Sequence, residues 1–370
     1  MNNDNTMRAS WKRLRRTWRL LKWVFSAALP VTSPSHENKR VLLVYDLASQ
    51  PFSVGDILVL QEAALIVRHI RNLGKIDVAV VYDAQKPVVD DPAFSQIDRE
   101  SFLFHLSSIL PAAQVNPLLG AAFLFDSHES LESYIADNES KYYVWPTIGL
   151  YTSREYLFYH CFNELFFEYF QQYGRLPVMN SRPAAQTWAR HFLEKHASGQ
   201  IAGTIQLRRN PVNPARNSRY DAWLEFFRYC ESTYPVKFIV ICAPHEIDPV
   251  LRNLPNVIIA KDHHTSLEQD LALIETAAFH MGASSGPSTI CQFNDKPYCI
   301  FGWRIDPAVF KGIKTDGHRH RFYFSNTFQN WIIEHESVDL LKSEFSFMWN
   351  EIRARNPEVS RIHPHSLPSK

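Results

Sequence analysis

The sequence predicts an α/β protein of two Rossmann-like halves facing across a cleft, with a basic amphipathic helix ahead of them. Two alternating runs of strand and helix signals predict the halves, one opening at Arg40 and the other at Ile201. Their strands are near-continuous Val and Ile runs, the pattern of parallel sheets covered on both faces. The third observation is the cluster Arg8, Lys12, Arg13, Arg15, Arg16, Arg19 and Lys22, which no acidic residue interrupts.

At 370 residues, 45% hydrophobic and 21% charged, the chain can bury a sizeable core and has an ordinary globular composition. That excludes a disordered chain, a collagen-like repeat or a disulfide scaffold. A formal net charge of +1 gives no global reason to expect nucleic acid as a partner. Cys161, Cys230, Cys242, Cys291 and Cys299 show no C-x-x-C spacing, so buried, reduced thiols in a cytoplasm-facing protein are expected. No run of about 18 uncharged apolar residues predicts a transmembrane helix.

The near-neutral total hides an asymmetry, because without the basic cluster the remaining chain is mildly acidic. Within that segment Trp11, Leu14, Trp18, Leu21 and Phe25 recur at spacings of three and four, one face of a helix. Trp11 and Trp18 suit the bilayer interface, and Arg15, Arg16, Arg19 and Lys22 suit anionic headgroups. Residues 1–36 are therefore expected to be a membrane-surface arm and linker, holding the protein on the cytoplasmic face. A protein partner is the alternative, and nucleic acid is not expected.

The first half begins with a strand over Arg40–Tyr45, a helix over Ile57–Leu73 stopped by Gly74, and a strand over Ile76–Tyr82. That order is a βαβ unit. A helix over Phe102–Leu110 and short strands over Ala121–Phe125 and Tyr142–Val144 follow. Tyr151–Tyr173 reads as a buried aromatic helix leading to a joint at Pro177 and Pro183. The second half alternates strands at 201–207, 237–242, 257–260, 279–282 and 298–301 with helices at 219–232, 248–253, 266–278 and 286–294. The expected domains are 37–185 and 186–356, with a flexible tail over 357–370.

The stretch from Leu271 to Trp303 is the most informative. A strand ends at Gly282, Ser284-Ser285-Gly286 turns, and a helix opens with Pro287, Ser288 and Thr289. Its amides and dipole make an anion site at a strand's carboxyl end, where open α/β sheets bind ligands. The pattern G-x-x-S-G-P, helix, K-P-x-x-x-F-G is similar to the C-terminal domain of the heptosyltransferase-like GT-B glycosyltransferases (family 9). In that family the turn reads Asp-Ser-Gly-Pro-x-His and binds the donor diphosphate. Here Ser284 replaces the acid and Thr289 the histidine. Phe52–Leu58 (FSVGDIL) resembles the family's S-x-G-D-x-L loop, which maps the acceptor-deprotonating carboxylate onto Asp56. From the residues alone, Asp56 is either a general base beside Gly55 or a helix cap.

Leu207–Arg219 (LRRNPVNPARNSR) places arginines at a strand's carboxyl end, suited to a diphosphate. Arg208 and Arg209 are preferred over Arg216. Arg208-Arg209 also resembles, more weakly, the H-x-R-R strand end of nodulation and core-type fucosyltransferases, and Arg219 matches the basic residue before the corresponding family helix. Glu268 and Asp270 are candidates for the donor ribose or sugar, or complements to a helix dipole. His263-His264 and His318-Arg319-His320 lack zinc spacing and read as surface loops. Asp90-Asp91 is not an Asp-x-Asp clamp, so neither a metal nor a cofactor is expected.

The resemblance implies a nucleotide-sugar donor as substrate and a glycan or lipid-linked acceptor. It implies metal-independent transfer with inversion, the domains closing over the site. The rivals are a non-catalytic membrane-associated scaffold and a sugar-nucleotide epimerase or hydrolase.

Overall fold

The computed structural model describes residues 39–47, 50, 52–82, 102–146, 154–210 and 214–357. The arm with Trp11, Arg15, Arg16, Trp18, Arg19 and Lys22 lies outside the described residues, as do Asp90-Asp91 and the tail beyond Pro357. No described helix is long and apolar enough to cross a membrane.

The first sheet is parallel in the order β3-β2-β1-β4, from β1 (Arg40–Asp46), β2 (Ile76–Val81), β3 (Leu119–Phe125) and β4 (Tyr142–Trp145). Connections run through α1 (Val54–Ile70), α2 (Phe102–Ala112) and α3 (His128–Asp137). β1 and β2 are apolar and buried almost throughout, as strands covered on both faces must be. One buried acid interrupts β2: Asp77 takes an ion pair from Arg40 at 2.8 Å and the hydroxyl of Tyr142 at 2.8 Å. This polar knot sits at the strands' amino ends, leaving their carboxyl ends to the loops.

The chain then crosses through α4 (Arg154–His160), a π turn (Cys161–Leu165) and α5 (Phe166–Tyr173). Gly174, left-handed at φ 72°, ends α5, and α6 (Pro183–His196) follows with proline in its first turn. The domain boundary expected at 185 falls inside α6, which packs on the helix Leu267–Thr276 of the second half.

The second sheet has eight strands in the order β10-β11-β12-β9-β8-β5-β6-β7. Its parallel strands are β5 (Ile201–Gln206), β6 (Val236–Ile241), β7 (Val257–Ile259), β8 (Phe279–Ala283), β9 (Tyr298–Phe301) and β12 (Gln329–Trp331). An antiparallel hairpin, β10 (Lys314–Asp316) and β11 (Arg319–Arg321), completes one edge. Helices α7 (Tyr220–Thr233), α8 (Leu267–Thr276) and α9 (Val338–Arg355) cover it.

One apolar cluster joins the halves. It runs from α1, α2, α5 and α6 to α8 and the 3-10 turn Pro287–Phe293, and takes in residues of both sheets. A second cluster lies between the second sheet, α7 and α9, and a third between the first sheet and α3. Phe162, fully buried in the π turn, meets Phe293, Phe310 and Phe322 of the second half at ring distances of 6.4, 5.5 and 4.7 Å. Leu157, Phe162 and Phe166 of the aromatic stretch are thus core, while Tyr173 at its end is 42% exposed. All five cysteines are free and buried.

The expected loop at His318-Arg319-His320 is corrected by Glu344 of α9, a carboxylate 1% exposed. It accepts from His318 at 2.8 Å and from Arg319 at 2.8 and 3.0 Å, drawing this segment into β11. His263 and His264 are exposed as expected, the His263 ring lying tilted by 54° against that of His196, centres 4.4 Å apart. Among the described residues no three His, Cys, Asp or Glu side chains converge as a metal group would require.

Candidate active site

The two loops singled out by the sequence meet. Ser53 caps α1, its hydroxyl accepting from the amide of Asp56 at 3.3 Å, so Gly55 and Asp56 lie in the helix's first turn. Gly55 faces the turn after β8. A Cβ on Gly55 would come 2.9 Å from the Thr289 hydroxyl and 3.4 Å from Gly286 Cα. A Cβ on Gly286 would lie 3.0 Å from the Gly55 nitrogen. Two glycines, one from each half, let the backbones touch. Asp56 is therefore not the capping residue, and it is buried, at 8% exposure.

The turn is set by its strand. Gly282 has φ 148°, and a side chain there would run 2.3 Å from the Gln206 carbonyl of β5, so glycine is required. The amide of Ser284 is held by the Phe301 carbonyl at 2.9 Å. The segment after Gly286 is a 3-10 turn rather than the α-helix expected, and it consumes the amides of Ser288 and Thr289 on the carbonyls of Ser285 and Gly286. Ser288 points inward: its hydroxyl bonds His280 Nε2 at 3.0 Å, while His280 Nδ1 meets Thr204 at 2.9 Å. Burial drives the His280 pKa down to about 3, so the imidazole is neutral and fixed. Ser288 thus belongs to a buried relay joining β5, β8 and the turn, contrary to its expected role as a phosphate ligand. Ser284, Ser285 and Gly286 remain half-buried at the surface.

Of the arginines, the one set aside makes the contact. Arg216, on the 3-10 turn Pro214–Arg216, donates to the Ser284 carbonyl at 2.7 Å. Arg208 follows β5, which runs beside β8. It is half-buried, its Nε has no partner among the described residues, and desolvation lowers its pKa. Arg209 turns outward, 58% exposed, to Asp248 at 3.3 Å and over the Tyr220 ring. Arg219 is exposed at the start of α7.

The acids of α8 are engaged elsewhere. Asp270 is 3% exposed and bound to Lys261 and Thr265, both at 2.6 Å. Burial raises its pKa, against the pull of Lys261. Glu268 holds Arg182 through two bonds of 2.5 and 2.6 Å. Neither side chain is left for a ribose in this arrangement. Lys296 of the K-P motif caps α8 instead, donating to the carbonyls of Thr276 and Ala277 at 2.9 and 2.7 Å.

A pair that the sequence reading passed over stands at the carboxyl edge of the first sheet. His128, the first residue of α3, places Nε2 3.0 Å from Oδ2 of Asp46, the last residue of β1. Only the pairing of the folded chain shows it, since 82 positions separate the two residues.

No family model matches the chain, and no curated protein does. Among solved structures, the ADP-heptose LPS heptosyltransferase II of E. coli superposes with a TM-score of 0.50 at 12% identity, covering 86% of this chain and 99% of that one. A family 9 glycosyl transferase from Veillonella parvula gives 0.49 at 11% identity over 85% and 90% of the two chains. E. coli heptosyltransferase WaaC with ADP gives 0.45 at 14% identity over 83% and 99%. At 12% identity the likeness to heptosyltransferase II is one of fold, and the chain has the GT-B fold of the heptosyltransferase-like glycosyltransferases.

Proposed function

We propose that this chain is a glycosyltransferase that takes a nucleoside-diphosphate sugar at the carboxyl edge of its second sheet. The observation that carries the reading is the meeting of the Gly55-Asp56 helix start with the Ser285-Gly286 turn, beside Arg208 and Arg216. Open α/β sheets bind ligands at this edge. A guanidinium beside backbone amides is a suitable diphosphate grip. Ser285 and Gly286 would supply the amides, since those of Ser288 and Thr289 are spent within the turn. Arg208 and Arg216 would neutralise the departing diphosphate without a metal. The acceptor hydroxyl, on a glycan or a lipid-linked sugar, would approach from the first sheet and displace the diphosphate directly, inverting the anomeric carbon. The basic arm suits an acceptor at a membrane surface.

The test is a thermal-shift screen against UDP, GDP, ADP, CMP and their common sugar conjugates. A true donor at about 100 times its dissociation constant stabilises the fold by roughly 2.7 kcal/mol. Stabilisation by one nucleotide series, lost in Arg216→Ala, is the expected result. No shift with any of them at millimolar concentration rejects the reading in favour of a scaffold.

A further inference from the structure

We infer that Gln206 is a specificity-determining residue whose Oε1 reads a hydroxyl of the sugar to be transferred; the inference rests on the transferase reading above.

Gln206 is the last residue of β5 and is 3% exposed. Its Nε2 donates to the Leu207 carbonyl at 2.9 Å, a group that only accepts, so the amide is fixed in one sense. Oε1 is shut off from solvent and has no hydrogen-bond partner among the described residues. A buried carbonyl left without a donor is costly, and such groups in folded proteins call for a function or a bound partner. A hydroxyl that reaches Oε1 gains a bond for which the protein needs no further desolvation.

The strand's alternation gives the direction. Ile205 and Leu207 enter the cluster with α7 and α9, which puts Thr204 and Gln206 on the opposite face of β5. Thr204 reaches the turn after β8 through His280 and Ser288, by bonds of 2.9 and 3.0 Å. Gln206 lies nearer the strand's carboxyl end, in register with Gly282. A Cβ on Gly282 would lie 2.8 Å from the Gln206 Cβ, so Gln206 alone furnishes a side chain for this pair of positions. Two residues beyond Gly282 the Ser284–Gly286 turn begins, and its Gly286 meets Gly55 of α1. Gln206 therefore stands on the floor of the donor site, on the face turned toward the first half.

The ligand chemistry follows from what an amide oxygen accepts. A phosphate oxygen carries no hydrogen, so Oε1 does not serve the diphosphate. In the transferase reading the acceptor comes from the first half, so the transferred sugar is the part of the donor on this face. Arg208, two residues on, carries the complementary orphan, a buried Nε without a partner among the described residues. The Leu207 amide still bonds the Ile241 carbonyl at 3.2 Å, so the chain stays extended and Gln206 and Arg208 share a face. A hydroxyl both donates and accepts. One sugar hydroxyl would donate to Gln206 Oε1 and accept from Arg208 Nε, with the guanidinium's terminal nitrogens directed to the diphosphate.

The experiment is a double-mutant cycle between side chain and ligand, read by titration calorimetry on the full chain. Wild type and Gln206→Met are titrated with the tightest binder among UDP-glucose, GDP-mannose and ADP-glucose. Each also receives the deoxyfluoro analogues of that sugar, one hydroxyl replaced at a time, and the 2′-deoxyribose analogue. One fluoro analogue should bind wild type about 10- to 100-fold more weakly than the parent, because fluorine donates no hydrogen bond. In Gln206→Met, that analogue and the parent should bind alike within twofold. Where Gln206→Met lacks a cooperative melt, Gln206→Asn, which withdraws the amide by one methylene, runs the same cycle. The same ratios in both proteins for every analogue overturn the inference, a buried water then being the partner of Oε1. Coupling confined to the 2′-deoxyribose analogue overturns the assignment to the sugar. No binding of any of these conjugates by the wild-type chain overturns the transferase reading and this inference with it.

Discussion

At the residue scale, side-chain direction decides what chain position leaves open. Arg208 and Arg209 are adjacent, yet one is half-buried beside β8 and the other turns out to Asp248. Arg216→Ala should weaken nucleotide binding about 10- to 100-fold, the effect of removing a charged hydrogen bond worth roughly 1.5–3 kcal/mol. Arg209→Ala removes an exposed ion pair and the contact over the Tyr220 ring, and should change affinity less than threefold and stability by under about 1 kcal/mol. Titration calorimetry on the nucleotide selected by thermal shift checks both, and equal losses from the two would contradict the geometry. The sequence showed that this loop was basic and followed a strand, because composition and periodicity are local. It did not show which guanidinium turns toward Ser284, since that depends on a 3-10 turn whose partner lies 68 positions away. The Asp46–His128 pair was hidden for the same reason. A further prediction concerns Gly286, whose added methyl would press on Gly55 and Val54 backbone and side chain at 3.0 Å. Gly286→Ala should destabilise by about 1–3 kcal/mol, the usual cost of overpacking, as read from a denaturant midpoint.

At the scale of elements, buried strands were legible because sheets covered on both faces favour near-continuous apolar runs. β1, β2, β5, β6, β8 and β9 follow such runs to within a residue or two. α3, α6 and α9 escaped notice, and so did the β10–β11 hairpin, whose three-residue strands are half-buried or exposed and carry no alternation. The turn after β8 was found, but its helix type was not: a Pro-Ser-Thr start suits either an α-helix or a 3-10 turn. What favours the tighter form is the inward bond from Ser288 to His280, and this has a consequence for pH. Burial depresses the folded-state pKa of His280 to about 3, below the usual 6.5 of an unfolded histidine. The folded chain therefore binds fewer protons between those values. The stability contributed by His280 is complete above pH 6.5 and is lost as pH falls toward 3. Unfolding free energy should drop by up to about 1.4 kcal/mol per pH unit in that window from this group. His280→Asn, which can bond Thr204 or Ser288 without titrating, should flatten the slope. Urea melts of both proteins from pH 7 to pH 4 measure it, and parallel slopes would refute the buried neutral histidine as their source.

At the scale of the molecule, the alternating blocks predicted two halves, and two sheets are present; the extent of their union was not legible. Periodicity shows that a helix has an apolar face without showing which sheet it serves. Here one face of the second sheet and the helices of the first share a single apolar cluster. Polar ties reinforce it around the crossing: Glu275 accepts from the Ser181 amide at 2.7 Å and Gln186 at 2.8 Å, and Arg182 holds Glu268. Domains joined by a narrow polar interface melt separately, whereas domains sharing a core lose both sheets together. The chain should therefore unfold in one calorimetric transition, with van't Hoff and calorimetric enthalpies in agreement. Phe162 tests the coupling most directly, since it belongs to the crossing segment and its ring packs on Phe293 and Phe322 of the second half. Phe162→Ala removes a fully buried ring and should cost about 3–5 kcal/mol. In a coupled molecule that loss moves the single transition several degrees down without splitting it. Two transitions in the wild-type chain, or a variant in which only one of two steps shifts, would mean that the halves fold independently. The Gly55–Gly286 contact would then be free to open and close as a hinged cleft.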